Sequence, residues 1–373
     1  MTAKVQPLNE TPATDQVAFQ AASLDIWDKK YRLKDLRGNP VDPDVEGTYK
    51  RVARALADIE DEDKRDHWYE RFLWALRHGA IPAGRIISNA GGQDYKPATS
   101  TINCTVSGTV GDSMDGILQK VHEAGLTLKA GCGIGYDFST LRPKGAFVAG
   151  AGAITSGPLS FMDIFDRMCF TISSAGGRRG AQMATFDVGH PDVQDFIRAK
   201  REDGRLRQFN MSLLVTHDFM EAVKSDGWWP LVFPISHKQA EVEDIDFDDP
   251  QQVQWRDWPT KEGYITGADG LVACKVFRTI KARHLWNAIM SSTYDYAEPG
   301  FILIDQYNDM NNNWYDENIR ATNPCVTGDT LLLTDRGEVP IQDVIGESLK
   351  VWNGFEWSQV TPKVTGYDRN ILR

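Results

Sequence analysis

The sequence has few cysteines, and none of them form a local pair. Five cysteines are spread over 373 residues. No Cys-x-x-Cys pair occurs among them, which disfavours both a zinc site and the disulfide framework of a small secreted domain. We therefore expect no bound metal. Any cysteine chemistry must come from residues that the fold brings together.

Long apolar runs and a secretion signal are also missing. No stretch of the chain is long and apolar enough for a membrane-spanning helix. The N-terminal residues lack the basic-then-apolar order of a signal peptide. The formal net charge of −11 argues against nucleic acid or an anionic membrane as the main partner. Together these absences predict a cytoplasmic protein that binds neither nucleic acid nor membrane.

The composition that is present suits a soluble globular enzyme. Apolar residues make up 41% and charged residues 25% of the chain, and its length allows two or three domains. Apolar residues recur at helical spacing around an acidic linker, whereas farther along short apolar runs alternate with amphipathic stretches, as in an α/β fold. The predicted organisation is a disordered lead-in (1–22), a helical domain (23–95), an α/β domain (96–324) with an exposed acidic excursion (238–270), and a β-rich segment (325–373).

Two glycine-rich segments are suited to the approach of an anion. In residues 131–138 the glycines let backbone N–H groups come close, and Arg142 follows nearby. The spacing is neither that of a Walker A nor that of a Rossmann motif, and a tight strand turn is the alternative interpretation. In residues 173–181, Arg178 and Arg179 suit a loop that closes over a phosphate or a base, although a solvated turn has the same composition.

Single cysteines in this chain are most simply interpreted as small buried apolar residues. Cys104 lies on a strand predicted within residues 100–106, and it is the one cysteine upstream of residue 325 for which we also weigh a chemical role. For Cys132, Cys169 and Cys274 we retain the structural interpretation.

The ordered set of motifs resembles the large subunit of ribonucleotide reductases, over residues 24–325. Each motif is weak by itself, and their order along the chain makes the resemblance specific. The opening at residues 23–34 is most similar to the adenosylcobalamin-dependent (class II) branch. The motifs occupy residues 100–104, 111–113, 133–143, 155–158, 176–181, 190–192, 298–300 and 322–325.

This resemblance implies a reaction and a set of substrate residues. The family replaces the ribose 2′-hydroxyl with hydrogen, using a thiyl radical on one cysteine and a redox pair of two others. Cys104 matches the first member of that redox pair. Asn103 and Gly133 match residues that contact the substrate, and Asn323 matches a side chain that hydrogen-bonds the ribose. Residues 96–324 would then form the first half of a ten-stranded α/β barrel.

The resemblance also implies regulation, a cofactor and partners. Asp112, Ser113 and Arg142 match a site for a deoxynucleotide effector, and Arg178 and Arg179 match a loop that carries the specificity signal to the substrate. The implied cofactor is adenosylcobalamin, and the implied reductant is of the thioredoxin type. A diphosphate substrate is favoured. A class I large subunit and a glycyl-radical enzyme with the same barrel are the alternatives, and the oligomeric state is open.

The sequence departs from the family at Cys325. The family motif continues Asn-Pro-Cys-Gly-Glu, but here Val326 and Thr327 follow the cysteine. The run from Cys325 to Thr330 instead resembles the first block of an intein, whose first residue is a nucleophilic Cys. We therefore predict that 325–373 is the N-terminal fragment of an intein with a β-rich, Hint-like fold. Cys325 would be the splicing nucleophile at the radical-cysteine position.

That departure predicts a further partner. The expected partner is a complementary polypeptide carrying the C-terminal parts of the reductase and of the intein. The alternative is an inactive truncated product that at most binds nucleotide.

Overall fold

The computed structural model describes residues 19–96, 100–148, 152–172, 180–201, 205–323 and four later strands. The chain divides into two compact units between Asn103 and Cys104. The helices are α1 (Ala21–Ile26), α2 (Val45–Ala57), α3 (Arg65–Arg77), α4 (Gly84–Asn89), α5 (Met114–Lys129), α6 (Pro158–Thr171), α7 (Val193–Arg198), α8 (His217–Lys224), α9 (His237–Val242), α10 (Ala282–Tyr296) and α11 (Ile304–Asp309).

The strands fall into four sheets. Five parallel strands form the largest sheet, in the order β1-β2-β5-β6-β10. The strands are β1 (Cys104–Thr109), β2 (Gly133–Asp137), β3 (Phe147–Val148), β4 (Ala153–Ile154), β5 (Gln182–Asp187), β6 (Phe209–Val215), β7 (Trp228–Pro234), β8 (Val253–Arg256), β9 (Val272–Lys281), β10 (Gly300–Leu303), β11 (Leu331–Thr334), β12 (Gly337–Pro340), β13 (Leu349–Trp352) and β14 (Trp357–Val360).

The first unit is helical, as the apolar spacing predicts. Helices α2 and α3 pack through a small core that includes Val52, Leu73 and Leu76. The helix α3 ends at Arg77, and Gly79 follows with a φ of +91°, a left-handed conformation that glycine adopts without strain. The predicted helical N-terminal domain is therefore confirmed.

The parallel sheet of the second unit has helices on one face. Its strand order follows the chain order without reversal, so right-handed crossovers place successive helices on the same side. Alternate strand residues such as Ile134, Tyr136 and Phe186 join side chains of α5, α6, α7, α8 and α10 in one core. The predicted α/β region is confirmed, and its five parallel strands are consistent with a fragment of the expected barrel.

The segment between β6 and β10 is more ordered than the composition predicts. Residues 238–270 are acidic and were expected to form an exposed excursion. In the structure they contribute most of α9 and all of β8, which pairs with β9 in an antiparallel sheet of order β7-β9-β8. Trp258 is 3% exposed and packs edge-on to Phe233, which explains why this polar segment is held in place.

The last four strands form a separate antiparallel sheet of order β12-β11-β13-β14. This arrangement agrees with the β-rich character predicted for residues 325–373. The predicted splicing nucleophile Cys325 lies outside the described residues, as do Arg178 and Arg179 of the proposed specificity loop.

Candidate functional site

On the face of the parallel sheet opposite the helices, strand β2 presents two glycines and an aspartate. Because successive strand residues point to opposite faces, Gly133, Gly135 and Asp137 of β2 lie opposite the apolar core residues of the same strand. Their partners on β5 include Met183 and Thr185. This face therefore leaves room for another segment or a ligand.

Residues 320–323 cross this open face. A Cβ added to Gly135 would lie 1.9 Å from the carbonyl oxygen of Thr322, so only glycine admits the segment so close to the strand. The Thr185 hydroxyl donates a hydrogen bond to the carbonyl oxygen of Arg320 at 2.7 Å. The segment that leads into Asn323 is thus held against two adjacent strands.

Two of the predicted substrate residues face each other in the ladder of this sheet. Cys104 opens β1 and pairs in register with Gly133 of β2, two residues before Gly135. The side chain of Cys104 is half-buried. The structure thus places Cys104 and Gly133 opposite each other on neighbouring strands. Asn323 lies at the end of the segment that crosses the same sheet. Asn103 belongs to the helical unit, where its side-chain oxygen accepts the Arg85 backbone N–H at 3.0 Å.

A buried chain of charges fixes the crossing segment, and sequence reasoning missed it. The Arg320 Nε donates to Asp137 at 2.9 Å, and its Nη2 lies 3.7 Å from an Asp187 oxygen. Arg256 lies 3.8 Å from the other oxygen of Asp187. Burial raises the pKa of Asp187, but Arg256 and Arg320 outweigh burial and hold that pKa below its ordinary value.

One sequence signal for this chain of charges was available. Asp137 and Asp187 each end a buried strand of the parallel sheet, where a carboxylate requires a partner. The sequence around these two aspartates does not predict that Arg320 is their partner.

A pocket of about 880 Å³ opens beside the crossing segment. Its walls are the end of β1 (residues 106–109), residues 257–259, Tyr307 and residues 317–323. A bulge between Val106 and Gly108 bends β1 where it meets the pocket. The pocket thus includes the carboxyl-terminal end of a parallel strand, where open α/β sheets commonly bind their ligands.

The three described residues of the predicted effector site lie together. The Arg142 Nε donates to both carboxylate oxygens of Asp112, at 2.9 and 3.1 Å. Ser113 caps the N-terminus of α5 by accepting the Gly116 N–H. Burial holds the pKa of Asp112 above its ordinary value, although hydrogen bonds from Arg142 and Tyr264 partly offset that effect. Tyr264 was not predicted as part of this cluster.

In the described part of the chain, no group of three or more His, Cys, Asp or Glu side chains is placed to hold a metal ion. None of the described helices has the length and apolar character needed to cross a membrane. The thiols of Cys169 and Cys274 have pKa values raised to about 12 by burial, so both are inert and protonated near neutral pH.

Comparison with known proteins identifies the family. Residues 102–329 match the barrel domain of ribonucleotide reductase, and residues 17–95 match its all-alpha domain. A vitamin B12-dependent ribonucleoside-diphosphate reductase of Mycobacterium tuberculosis is 31% identical over 332 residues, which is 88% of this chain and 40% of that protein. The enzyme of the same name from Thermoplasma acidophilum is 33% identical over 290 residues, 74% of this chain and 33% of that protein.

A more distant relative is the ribonucleoside-diphosphate reductase large subunit of Invertebrate iridescent virus 6. It is 25% identical over 327 residues, 83% of this chain and 28% of that protein. The chain thus spans about 40% or less of the length of these curated relatives. Both domain matches fall where the structure has the helical unit and the parallel sheet. The chain belongs to the ribonucleotide reductase large-subunit family.

Proposed function

We propose that this chain supplies substrate and effector sites of a ribonucleoside-diphosphate reductase. The observation that carries the proposal is the placement of residues 320–323 on β2 and β5, beside the strand β1 whose first residue, Cys104, pairs with Gly133 of β2. Two motifs that are far apart in the sequence meet on one sheet face. Asn323 would hydrogen-bond the ribose, while Gly133 and Asn103 would contact the substrate.

Cys104 would act in the redox step. The reaction breaks the ribose C2′–O bond, releases the hydroxyl as water and places hydrogen on C2′. Two thiols, Cys104 and a second cysteine of the redox pair, supply two electrons and two protons and become a disulfide. A thioredoxin-type dithiol then reduces that disulfide by thiol–disulfide exchange.

We propose adenosylcobalamin as the source of the radical, because the relatives at 31–33% identity are named vitamin B12-dependent. When bound, it supplies a radical by homolysis of its cobalt–carbon bond. The residues of the pocket fit an uncharged group of such a cofactor. Trp258 and Arg320, both in its wall, have buried donor nitrogens that make no hydrogen bond to the described residues, although the Arg320 Nη2 lies 3.7 Å from an Asp187 oxygen. This chain's contribution would be to position the ribose and to exclude water.

The cluster of Asp112, Ser113 and Arg142 would hold the deoxynucleotide effector. The Asp112 carboxylate orients the Arg142 guanidinium by accepting hydrogen bonds from its Nε. The guanidinium is partly exposed, so one of its terminal nitrogens can reach a ligand. Arg178 and Arg179 would carry the specificity signal. In the reductase that contains this chain, Arg179→Ala should change the ratios among the four substrates more than it changes radical formation.

The decisive experiment is a reductase assay on the protein that contains this chain. Ribonucleoside diphosphates, adenosylcobalamin and a dithiol should yield deoxyribonucleotides. Cys104→Ser should remove multiple turnover but leave cobalamin homolysis, because serine forms no disulfide. Cys169→Ser, which changes a buried thiol in the core between the parallel sheet and its helices, is the matched control. Undiminished turnover in the Cys104→Ser enzyme would exclude this cysteine from the mechanism.

A second candidate function rests on the sequence at Cys325 and on the antiparallel sheet β11–β14 that follows it. We propose that Cys325 starts protein splicing. Its sulfur would attack the Pro324 carbonyl carbon, the Pro324–Cys325 peptide C–N bond would break, and the thiol proton would pass to the released amine. The product is a thioester that carries the upstream chain.

The splicing proposal is tested by mixing this chain with its complementary polypeptide. The chain is incubated with a polypeptide that carries the complementary intein and reductase segments, and the products are weighed by mass spectrometry. Splicing predicts a ligated protein without residues 325–373, and Cys325→Ala should abolish it while Cys274→Ala should not. A product that retains residues 326–373, or a working reductase whose radical maps to Cys325, would refute the assignment.

A further inference from the structure

One arginine of the antiparallel sheet joins the buried charges that hold the crossing segment. Arg256 is the last residue of β8, where it pairs in register with Val272 of β9. Its side chain is largely buried, and its Nη1 lies 3.8 Å from Oδ1 of Asp187, the last residue of β5. The segment between β6 and β10 therefore contacts the charges beside residues 320–323.

The turn after β5 is shaped to admit this arginine. A Cβ added to Gly189 would collide with the Arg256 Nη1 and would lie 3.1 Å from the Asp187 Oδ1. The Gly189 N–H donates to that carboxylate oxygen at 2.7 Å, and its carbonyl oxygen accepts the Val232 N–H at 2.8 Å, which ties the turn to β7. The Arg256 guanidinium also lies over the Trp229 ring, 5.6 Å from its centroid. Arg256 is therefore held in a defined place.

This contact balances charge inside the protein. Asp137 and Asp187 are two buried carboxylates, and Arg320 supplies one positive charge to them. Arg256 supplies the second, so these four side chains are neutral as a group. Burial raises the pKa of Asp187, and Arg256 opposes burial more strongly than Arg320 does. Removal of one partner from a buried ion pair leaves a charge that is costly to bury.

The loss of Arg256 would act on the crossing segment through Arg320. The Arg320 Nε donates to Asp137 at 2.9 Å, whereas its Nη2 lies 3.7 Å from Asp187 and makes no hydrogen bond to the described residues. Without Arg256, one guanidinium would have to serve both carboxylates, and it would be drawn toward Asp187. The backbone that carries Arg320 would shift with it, and Asn323 stands three residues farther along that backbone.

We propose that Arg256 is a positioning residue for ribonucleotide reduction. It acts through Asp187 on Arg320, and so sets where Asn323 meets the ribose. This inference rests on the proposed reductase function and on the contact proposed there between Asn323 and the ribose. It gives the antiparallel sheet β7–β9–β8 a role in turnover.

The test combines steady-state kinetics of the reductase that contains this chain with amide hydrogen exchange. Arg256→Gln should lower kcat and kcat/KM together, by about 10- to 100-fold, because a displaced Asn323 affects the transition state more than it affects binding. Exchange in residues 320–323 should become faster. Arg256→Lys keeps the charge and should recover most of both losses. Lys275→Gln, which removes a cation of β9 that pairs with Glu243, should change neither measurement.

Two further variants separate positioning from a loss of folding. Gly189→Ala keeps every charge but displaces the end of the Arg256 side chain, so it should reproduce the loss of kcat. It replaces Arg256→Gln if that variant does not fold. The double variant Arg256→Gln/Asp187→Asn again has balanced charges, so its loss of kcat should be smaller than the product of the two single losses.

Three results would overturn the proposal. They are an unaltered kcat in Arg256→Gln, a raised KM at unchanged kcat, and single losses that multiply in the double variant. Failure of the reductase assignment is a separate result, in which the parent protein forms no deoxyribonucleotide. In that case unchanged exchange of residues 320–323 in Arg256→Gln would also overturn the positioning of the segment, and faster exchange would support it.

Discussion

At the scale of single residues, His190 shows how burial fixes a protonation state. Its Nδ1 accepts the Asp192 N–H at 3.0 Å and its Nε2 lies 3.0 Å from the Leu141 carbonyl oxygen, so the ring is the neutral Nε2–H tautomer. The ring packs on Phe186 with centroids 4.5 Å apart. Burial lowers the pKa of His190 and outweighs the nearby carboxylates, which would raise it. The His-Pro-Asp motif is therefore structural.

The lowered pKa of His190 predicts a pH dependence of stability. Above the ordinary histidine pKa of about 6.5, folded and unfolded chains are both neutral at this position. As the pH falls below that value, only the unfolded chain gains the proton, so the free energy of unfolding decreases by at most about 1.4 kcal/mol per pH unit.

Chemical denaturation between pH 7.5 and about pH 5 measures this slope. His190→Gln should be less stable at pH 7.5 but should show a smaller slope. His284→Gln, at an exposed histidine on α10, should keep the slope of the parent chain. An unchanged slope in His190→Gln would show that His190 is not the group responsible.

At the scale of elements, the crossing of residues 320–323 over β2 depends on the absence of a side chain at Gly135. In Gly135→Ala the new Cβ would lie only 1.9 Å from the carbonyl oxygen of Thr322, so backbone atoms must move. We expect a loss of about 1–3 kcal/mol in unfolding free energy and displacement of the segment. The rate of amide hydrogen exchange should rise in residues 320–323, while the amides of the core between the parallel sheet and its helices stay protected.

The control for that substitution is a glycine at which an added Cβ would make only normal van der Waals contacts. An added Cβ at Gly125 in α5 would meet Ile172 at 3.4 Å, an ordinary van der Waals distance, and alanine favours a helix. Gly125→Ala should leave exchange in residues 320–323 unchanged. Equal protection of this segment in both variants would disprove the close approach.

In the helical unit, a buried ion pair joins the loop that follows the π-helical residues 27–31 to two helices. Asp42 is 2% exposed and accepts hydrogen bonds from Leu33 N, Thr48 Oγ1 and Arg51. Burial raises the pKa of Asp42, but these bonds outweigh burial and lower it. Arg51 also donates to the carbonyl oxygen of Ile87 at 2.9 Å, which links α2 to α4.

Asp42→Asn should therefore destabilise the helical unit by about 3–5 kcal/mol, because Arg51 is left buried without its counter-charge. Asp25→Asn removes an exposed partner of Lys29 and should cost at most about 1 kcal/mol. Thermal or urea unfolding followed by circular dichroism measures both. Similar losses in the two variants would contradict the central role of Asp42.

At the scale of the whole molecule, the parallel sheet has open edges in the described part of the chain. There, β10 pairs only with β6, and β1 pairs only with β2. Unpaired strand edges favour association with other chains. We expect the isolated chain to associate at high concentration, as measured by light scattering.

A charged side chain on an edge strand should reduce that association. Phe301 on β10 and Phe277 on β9 are both 43% exposed, but β9 is the central strand of its sheet. Phe301→Lys should lower the apparent mass and Phe277→Lys should not. A monomeric parent chain at all concentrations would refute the edge interpretation.

The sequence by itself determined several of the elements and the family. Apolar spacing predicted α2 and α3, and short apolar runs predicted β2, β6, β7 and β10, because helix and strand periods appear directly in the order of residues. It did not single out β5, whose run of six buried residues includes Gln182, Thr185 and Asp187. These polar side chains are satisfied by partners from other segments, such as the Tyr136 hydroxyl for Gln182.

Only the tertiary structure decided how the site is held. Arg320 meets Asp137 across 183 positions of the chain, and Trp258 is buried within an acidic segment that composition alone describes as exposed. The spacing of apolar residues along the sequence predicts which face of a helix or strand is buried. It does not predict which distant residue packs against that face. Partner choice depends on strand order and register, which arise only when the crossovers bring separate segments to one sheet.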